Sequence, residues 1–139
     1  MVRLRTVALW IVTVQFLVIA DQITKRFAED ASSSVLNTGI AFGLFPDANP
    51  YIIAVSFVAI AFFAWYLVAQ ARSPIAIGGI LLILSGAVGN LIDRLLIGAV
   101  RDFISIGTFP IFNFADAYLT IGVFVLIVDS YLEDRKKKA

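Results

Sequence analysis

Residues 48–92 read ANPYIIAVSFVAIAFFAWYLVAQARSPIAIGGILLILSGAVGNLI and carry a single charge, Arg72. Ala48 to Ala71 is a run of 24 uncharged residues, and Ser73 to Ile92 is a run of 20. A helix crossing the hydrocarbon core of a bilayer needs about 20 predominantly apolar residues. Each run is therefore long enough to span alone. Gln70-Ala71-Arg72-Ser73-Pro74 reads as a tight turn between them. Its Ser73-Pro74 has the form of a helix cap followed by proline in the first turn.

Two further runs lie outside this pair. Thr6 to Ala20 is 15 uncharged residues and reaches spanning length if its helix continues through Asp21-Gln22-Ile23-Thr24-Lys25. Phe112 to Leu132 forms a fourth span, interrupted by Asp116 and Asp129. The reading is an all-α integral membrane protein, one four-helix domain over residues 1–139. Arg3 and Arg5 before an apolar run ending Val18-Ile19-Ala20 also have the form of a cleaved signal peptide. The polar cluster that follows favours a retained span. Ser32-Ser33-Ser34 marks a loop, Pro46 and Pro50 bracket a turn, and Phe103-Ile104-Ser105-Ile106-Gly107 reads as a short strand or a re-entrant piece.

Composition agrees. Of 139 residues 60% are hydrophobic and 15% charged, with a mean hydropathy of +0.94. That excludes a disordered chain and leaves too little polar surface for a soluble domain. A net charge of +1 argues against a nucleic-acid partner. Seven of the 11 basic residues (Arg3, Arg5, Arg72, Arg135, Lys136, Lys137 and Lys138) fall on one side of the four-span arrangement. Basic residues concentrate on the cytoplasmic side, so both termini are expected there. The basic tail is expected to anchor that topology at anionic lipid headgroups.

Cysteine and histidine are both absent. This removes disulfides, thiolate and Ser-His nucleophiles, and ordinary zinc sites. Neither metal nor cofactor is expected. Acid–base chemistry must come from Asp, Glu, Lys or Tyr.

Polar groups are expensive within lipid, and here they gather at the outward ends of spans one, three and four. Asp21 and Lys25 have the i, i+4 spacing of a helical ion pair; the alternative is an interfacial anchor with Lys25 snorkelling. Asn37-Thr38-Gly39-Ile40-Ala41-Phe42-Gly43 has the composition of a tight turn or an ordinary loop. Gly86, Asn90 and Asp93 share one helical face. Gly86 and Gly89 permit close helix approach, and Asn90 can bond across it. Asp93-Arg94 could be a surface ion pair. Asp102 and Asp116 lie 14 positions apart, with Asn113 one turn before the second, and the intervening loop can bring the two acids together. Asp116 could alternatively pair with Arg94, Arg101 or Lys25. Two carboxyls at one site cannot both ionise easily. A charged member can then take a proton from water while a protonated one polarises a carbonyl.

At these residues the sequence resembles bacterial lipoprotein signal peptidase, signal peptidase II. Five blocks appear in order over nearly the whole chain. They are Asp21-Gln-Ile-Thr-Lys25, Asn37-Thr-Gly-Ile-Ala-Phe42-Gly43, Gly86-Ala-Val-Gly89-Asn90-Leu-Ile-Asp93-Arg94, Val100-Arg-Asp102-Phe103 and Phe112-Asn113-Phe-Ala115-Asp116. The resemblance implies a membrane aspartic endopeptidase that cleaves prolipoproteins before a diacylglyceryl-modified cysteine. Asp102 and Asp116 match its catalytic dyad. Asp21, Lys25, Asn37, Gly39, Gly86, Gly89, Asn90, Asp93, Arg94, Asn113 and Ala115 match positions read as substrate binding or site support. The expected setting is the bacterial inner membrane, with the site near the outer face, prolipoprotein and lipid as partners, and a monomer. Two departures stand out. Only 11 residues, Arg26 to Leu36, separate Lys25 from Asn37, where family members carry a longer segment forming an extracytoplasmic β cradle. Here the cradle is expected to be reduced or absent, which bears on substrate clamping. Ile40 replaces a more usual alanine. The rival readings are a small transport subunit using the two acids as an ion site, and a non-catalytic membrane scaffold.

Overall fold

The computed structural model describes residues 3–39, 49–70 and 73–138. It contains four long helices: α1 (Leu4–Asp30), α2 (Asn49–Ala69), α3 (Pro74–Ile97) and α4 (Phe114–Lys138). Two three-residue strands, β1 (Val35–Asn37) and β2 (Val100–Asp102), complete it. All four helices are long and apolar enough to cross a bilayer, and α1, with 27 residues, is about 40 Å long. Ile40 to Gly43, Pro46, Ala48, Ala71 and Arg72 lie outside the described residues.

α3 is the hub. α4 packs along it most extensively, and α2 and α1 lean on it as well. Lipid tails are as apolar as leucine, so helices in a membrane associate through close packing and interhelical hydrogen bonds. The small residues of α3 supply the first. A Cβ on Gly86 would collide with the Ala115 carbonyl and lie 2.8 Å from Leu119 Cγ. One on Gly89 would sit 2.7 Å from Asp21 Oδ2. Further along, Gly79 and Gly122 face one another, and a Cβ on Gly122 would come within 2.6 Å of the Gly79 carbonyl. Towards the other end, Leu67, Ile80, Leu81 and Leu84 form a small core bordered by Trp10, Val14 and Phe63. Outward faces carry Leu9, Phe16, Phe57, Phe62, Trp65 and Phe124, all more than half exposed, a surface made for lipid rather than water.

The helix ends follow from local chemistry. Ser73 caps α3, its hydroxyl accepting from the Ile75 amide at 3.2 Å and donating to Asp129 Oδ1 at 2.6 Å. Gly98 ends α3 in the left-handed region, φ 79°, where glycine is favoured. α1 runs five residues beyond Lys25, to Asp30, and the fourth helix starts at Phe114 rather than Phe112.

The strands pair antiparallel, Val35 opposite Asp102 and Asn37 opposite Val100. Among the described residues the connection from α1 to α2 contributes a single strand to this short ribbon. Residues 103–112 form a bridged hairpin, in which the Ile104 amide donates to the Phe112 carbonyl at 2.8 Å and the reverse bond is 3.1 Å. Within residues 103–107, Ile104 alone takes part in a β-bridge.

Gly86→Val adds three side-chain carbons, the first of which already collides with the Ala115 carbonyl. Overpacking of this kind costs about 1–3 kcal/mol or more. The expected outcome is a lower thermal midpoint in detergent, followed by tryptophan fluorescence. An unchanged midpoint would show that α3 and α4 are not held at this distance.

Candidate active site

Asp102, Asp116 and the 11 residues matched to substrate binding or site support lie towards one end of the bundle. This is the end where α1 and α3 finish and α4 begins. The site starts from the first turn of α4, whose leading amides lack helical partners. Asn113 is the residue before the helix. Its Oδ1 accepts from the Asp116 amide at 2.9 Å, while Asp116 Oδ2 accepts from the Asn113 amide at 3.1 Å. This is a reciprocal capping box. The spacing that reads as one helical face in the sequence is therefore a cap and its third residue. Asp21 Oδ1 accepts the Ala115 amide at 2.9 Å, so a third orphan donor is met by a carboxylate at the positive end of the helix.

Asp102 reaches the same place from the ribbon. Its two oxygens accept from Asn37 Nδ2 at 3.0 Å and Asn113 Nδ2 at 2.7 Å. Asn37 is held in turn, its Oδ1 accepting from the Gly39 amide at 3.1 Å, an Asx turn. Burial pushes the Asp102 carboxyl above the ordinary carboxylate range, and the nearby Asp116 charge pushes the same way. The bonds from Asn37 and Asn113 and the Lys25 charge oppose this. Asn113 thus touches both acids, and a third amide joins them: Asn90 Nδ2 donates to Asp116 Oδ1 at 2.8 Å. Asp116 has no ion pair among the described residues, so the alternative pairing with Arg94, Arg101 or Lys25 is not what holds it.

Behind the acids lies a buried charge cluster. Lys25 Nζ is 2.9 Å from Asp21 Oδ2, 3.4 Å from Asp93 Oδ2 and 3.0 Å from Asn90 Oδ1. The side chains of Lys25, Asp21 and Asp93 have 0% exposure. The ion pair of Asp21 and Lys25 is as the spacing predicts, but it is internal and not an interfacial anchor. Asp93 is not paired with Arg94 at the surface. Its partner is Arg101, whose Nη2 is 2.7 Å from Asp93 Oδ1 and whose Nε is 3.3 Å from Oδ2. Arg101 also donates to Glu29 Oε2 at 3.0 Å and to Gln22 Oε1 at 3.1 Å. Asp93 raises the already high pKa of the Arg101 guanidinium.

Glu29 is passed over by sequence reasoning, which gives Gln22 no role and offers Arg101 only as a partner of Asp116; all three belong to the site end. The available signals are the strand alternation that turns Arg101 away from Asp102 and the i, i+3, i+7 stripe of Gln22, Lys25 and Glu29 on α1.

A cavity of about 680 Å³ opens beside the acids. Asn37, Asn90, Arg94, Asp102 and Asp116 form its polar end. Ile52, Val55 and Ala59 of α2 and Leu119 and Ile121 of α4 form apolar walls. Asp21, Lys25, Asp93 and Asn113 stand behind it, and Gly86, Gly89 and Ala115 set the helix contact beneath. Arg94 Nη2 reaches the Gly39 carbonyl at 3.4 Å, and Gly39 is buried. Among the described residues no group of three acids could hold a metal ion. Two carboxyls, oriented by neutral amides and opening on a partly apolar cavity, can share a proton and activate water.

The chain is similar to known proteins over most of its length. A family model described as signal peptidase (SPase) II matches residues 13–132. A lipoprotein signal peptidase of Clostridium tetani is 37% identical over 145 aligned positions, covering 86% of this chain and 92% of that one. One from Rickettsia felis is 40% identical over 102 positions, covering 68% of this chain and 52% of the relative. The chain therefore spans about half the length of the Rickettsia relatives it matches. A bacterial membrane enzyme solved by the in meso method at 2.3 Å resolution superposes with a TM-score of 0.86 at 30% identity. That match covers 95% of this chain and 92% of the other.

Asn113→Ala removes the cap and one donor to Asp102, and is expected to destabilise the protein by about 1–2 kcal/mol. Asn113→Ser keeps a capping oxygen and is expected to recover the larger part. Thermal unfolding of the three proteins in detergent checks the order, and equal midpoints for the two variants would show that the cap is not the stabilising contact.

Proposed function

The chain belongs to the signal peptidase II family, and from that premise we propose that it is a membrane aspartic endopeptidase. Its substrates are prolipoproteins, cleaved before the diacylglyceryl-modified cysteine. The carrying observation is that Asp102 and Asp116 line one cavity and are joined through Asn113. No cation is paired with either among the described residues.

In this proposal Asp116 is the base. Two N–H donors, Asn90 Nδ2 and the Asn113 amide, face its oxygens and orient them towards the cavity. Asp102, buried, holds the proton. Water loses a proton to Asp116 and attacks the scissile carbonyl, whose oxygen takes the proton of Asp102. The tetrahedral intermediate collapses as Asp116 returns a proton to the leaving amine and Asp102 takes one back from the diol. The apolar walls on α2 and α4 suit the signal segment and acyl chains, and the polar end suits the peptide backbone. The proposed setting is the bacterial inner membrane, with both termini cytoplasmic, the site near the outer face and the protein acting as a monomer.

The test is cleavage of a diacylglyceryl-modified prolipoprotein by the purified protein in detergent. Asp102→Asn and Asp116→Asn are each expected to lose on the order of 1,000-fold or more in kcat. Parent-like cleavage by either folded variant would refute the dyad.

The pH profile carries a second prediction. Activity needs Asp102 protonated and Asp116 ionised, so it is bell-shaped, with limbs that belong to the coupled pair. The alkaline limb falls as pH rises through the raised Asp102 pKa. Asn37→Ala removes a bond that favours ionised Asp102 and is expected to move that limb to higher pH. A shift to lower pH would reverse the assignment of proton holder.

A further inference from the structure

The buried cluster contains two wholly buried carboxylates, Asp21 and Asp93, and two cations, Lys25 and Arg101. Arg101 takes Asp93 with a fork. Its Nη2 is 2.7 Å from Oδ1 and its Nε 3.3 Å from Oδ2, with the Arg101 backbone amide also on Oδ2 at 3.0 Å. Lys25 is left nearer to Asp21 and Asn90, at 2.9 and 3.0 Å, than to Asp93, at 3.4 Å.

That division decides the orientation of an amide. An ammonium offers donors and no acceptor, so the end of Asn90 facing Lys25 must be its oxygen. Asn113 Nδ2 donates to the same oxygen at 3.2 Å. The Asn90 amino group is then turned to Asp116, 2.8 Å away. Without the Arg101 side chain, Asp93 keeps the longer of the two Lys25 ion pairs, at 3.4 Å, and two neutral donors, Gln22 Nε2 at 3.2 Å and the backbone amide. A buried carboxylate that loses its closer cation is costly, and the cation already paired with it is Lys25. Closing the 3.4 Å gap to Asp93 draws Lys25 off Asn90 and releases the amide to turn.

We propose that Arg101 is a positioning residue: by occupying Asp93 it reserves Lys25 for Asn90, and so fixes which end of the Asn90 amide Asp116 meets. The relay rests on the proposed hydrolysis for its effect on rate, but the geometry it sets does not. Arg101 has no contact with the cavity. It stands one residue from Asp102, on the opposite face of β2, so it acts through Asp93, Lys25 and Asn90.

Two readouts test it on the full-length protein in detergent. The first is cleavage of a diacylglyceryl-modified prolipoprotein. Arg101→Gln is expected to lower kcat on the order of 10- to 100-fold with KM little changed. Adding Asp93→Asn removes the competitor for Lys25, and the double variant is expected to recover most of the loss. A double variant that stays at the rate of Arg101→Gln, or falls below it, would overturn the proposal. The second readout is the side-chain ¹⁵NH₂ signal of Asn90, assigned by its disappearance in Asn90→Ala. It is expected to shift in Arg101→Gln and to return in the double variant, and an unmoved signal would equally overturn the relay. Where Arg101→Gln does not fold, Arg101→Lys read against Arg101→Lys with Asp93→Asn makes the same comparison. A parent that does not cleave would count against the proposed hydrolysis, while the amide signal still decides the relay.

Discussion

Lys25 is an ammonium with no exposure to solvent, surrounded by Asp21, Asp93 and Asn90. Leaving a buried charge without its partner costs about 3–5 kcal/mol, so this group constrains everything around it. α1 must present Asp21 and Lys25 inward, α3 must bring Asn90 and Asp93 to meet them, and Asp21 must reach the Ala115 amide of α4. Hydrophobicity alone would not do this in lipid, where an outward-facing leucine is as content as an inward one. The glycines of α3 permit the approach, and the charge cluster specifies its register.

The same cluster sorts the acids by role. Asp21 and Asp93 each have a cation and are committed to holding helices together. Asp102 and Asp116 are bonded to amides, from Asn37, Asn90, Asn113 and the α4 backbone. Amide donors orient a carboxyl without locking it in the charged state as strongly as a buried ammonium would. Of the aspartates Asp21, Asp93, Asp102 and Asp116, the two bonded to amides and, among the described residues, not paired with a cation are those that line the cavity.

Much of this was legible in the residues, and the rest was hidden for identifiable reasons. Uncharged runs announce spans because lipid tolerates little else, so the four helices follow from counting. The i, i+4 spacing announces the Asp21–Lys25 pair, and Ser73-Pro74 announces a helix start. Asp93-Arg94 misleads because adjacency in sequence is not adjacency on a helix: successive side chains diverge by about 100°, and Asp93 turns inward to Arg101. Asn113 misleads differently. A three-residue spacing is shared by one helical turn and by a capping box, and only the backbone distinguishes them. The role of Arg101 depends on how a strand passes two helices distant in sequence, which no local pattern encodes.

The short ribbon gives Arg101 added weight. β2 is held by one three-residue partner strand, and a two-stranded ribbon is marginal by itself. What fixes it is the Arg101 side chain, tied to α3 through Asp93 and to α1 through Gln22 and Glu29. Asp102 is therefore located by polar bonds to helices more than by the sheet it belongs to. Its partner Asp116 is located by a helix cap. The two acids are set independently, one from a ribbon and one from a helix N-terminus, and Asn113 is the group that must satisfy both. Relaxing the ribbon would move Asp102 relative to Asp116 without unfolding a span, so small changes at the Arg101 anchor should register in the chemistry before they register in stability.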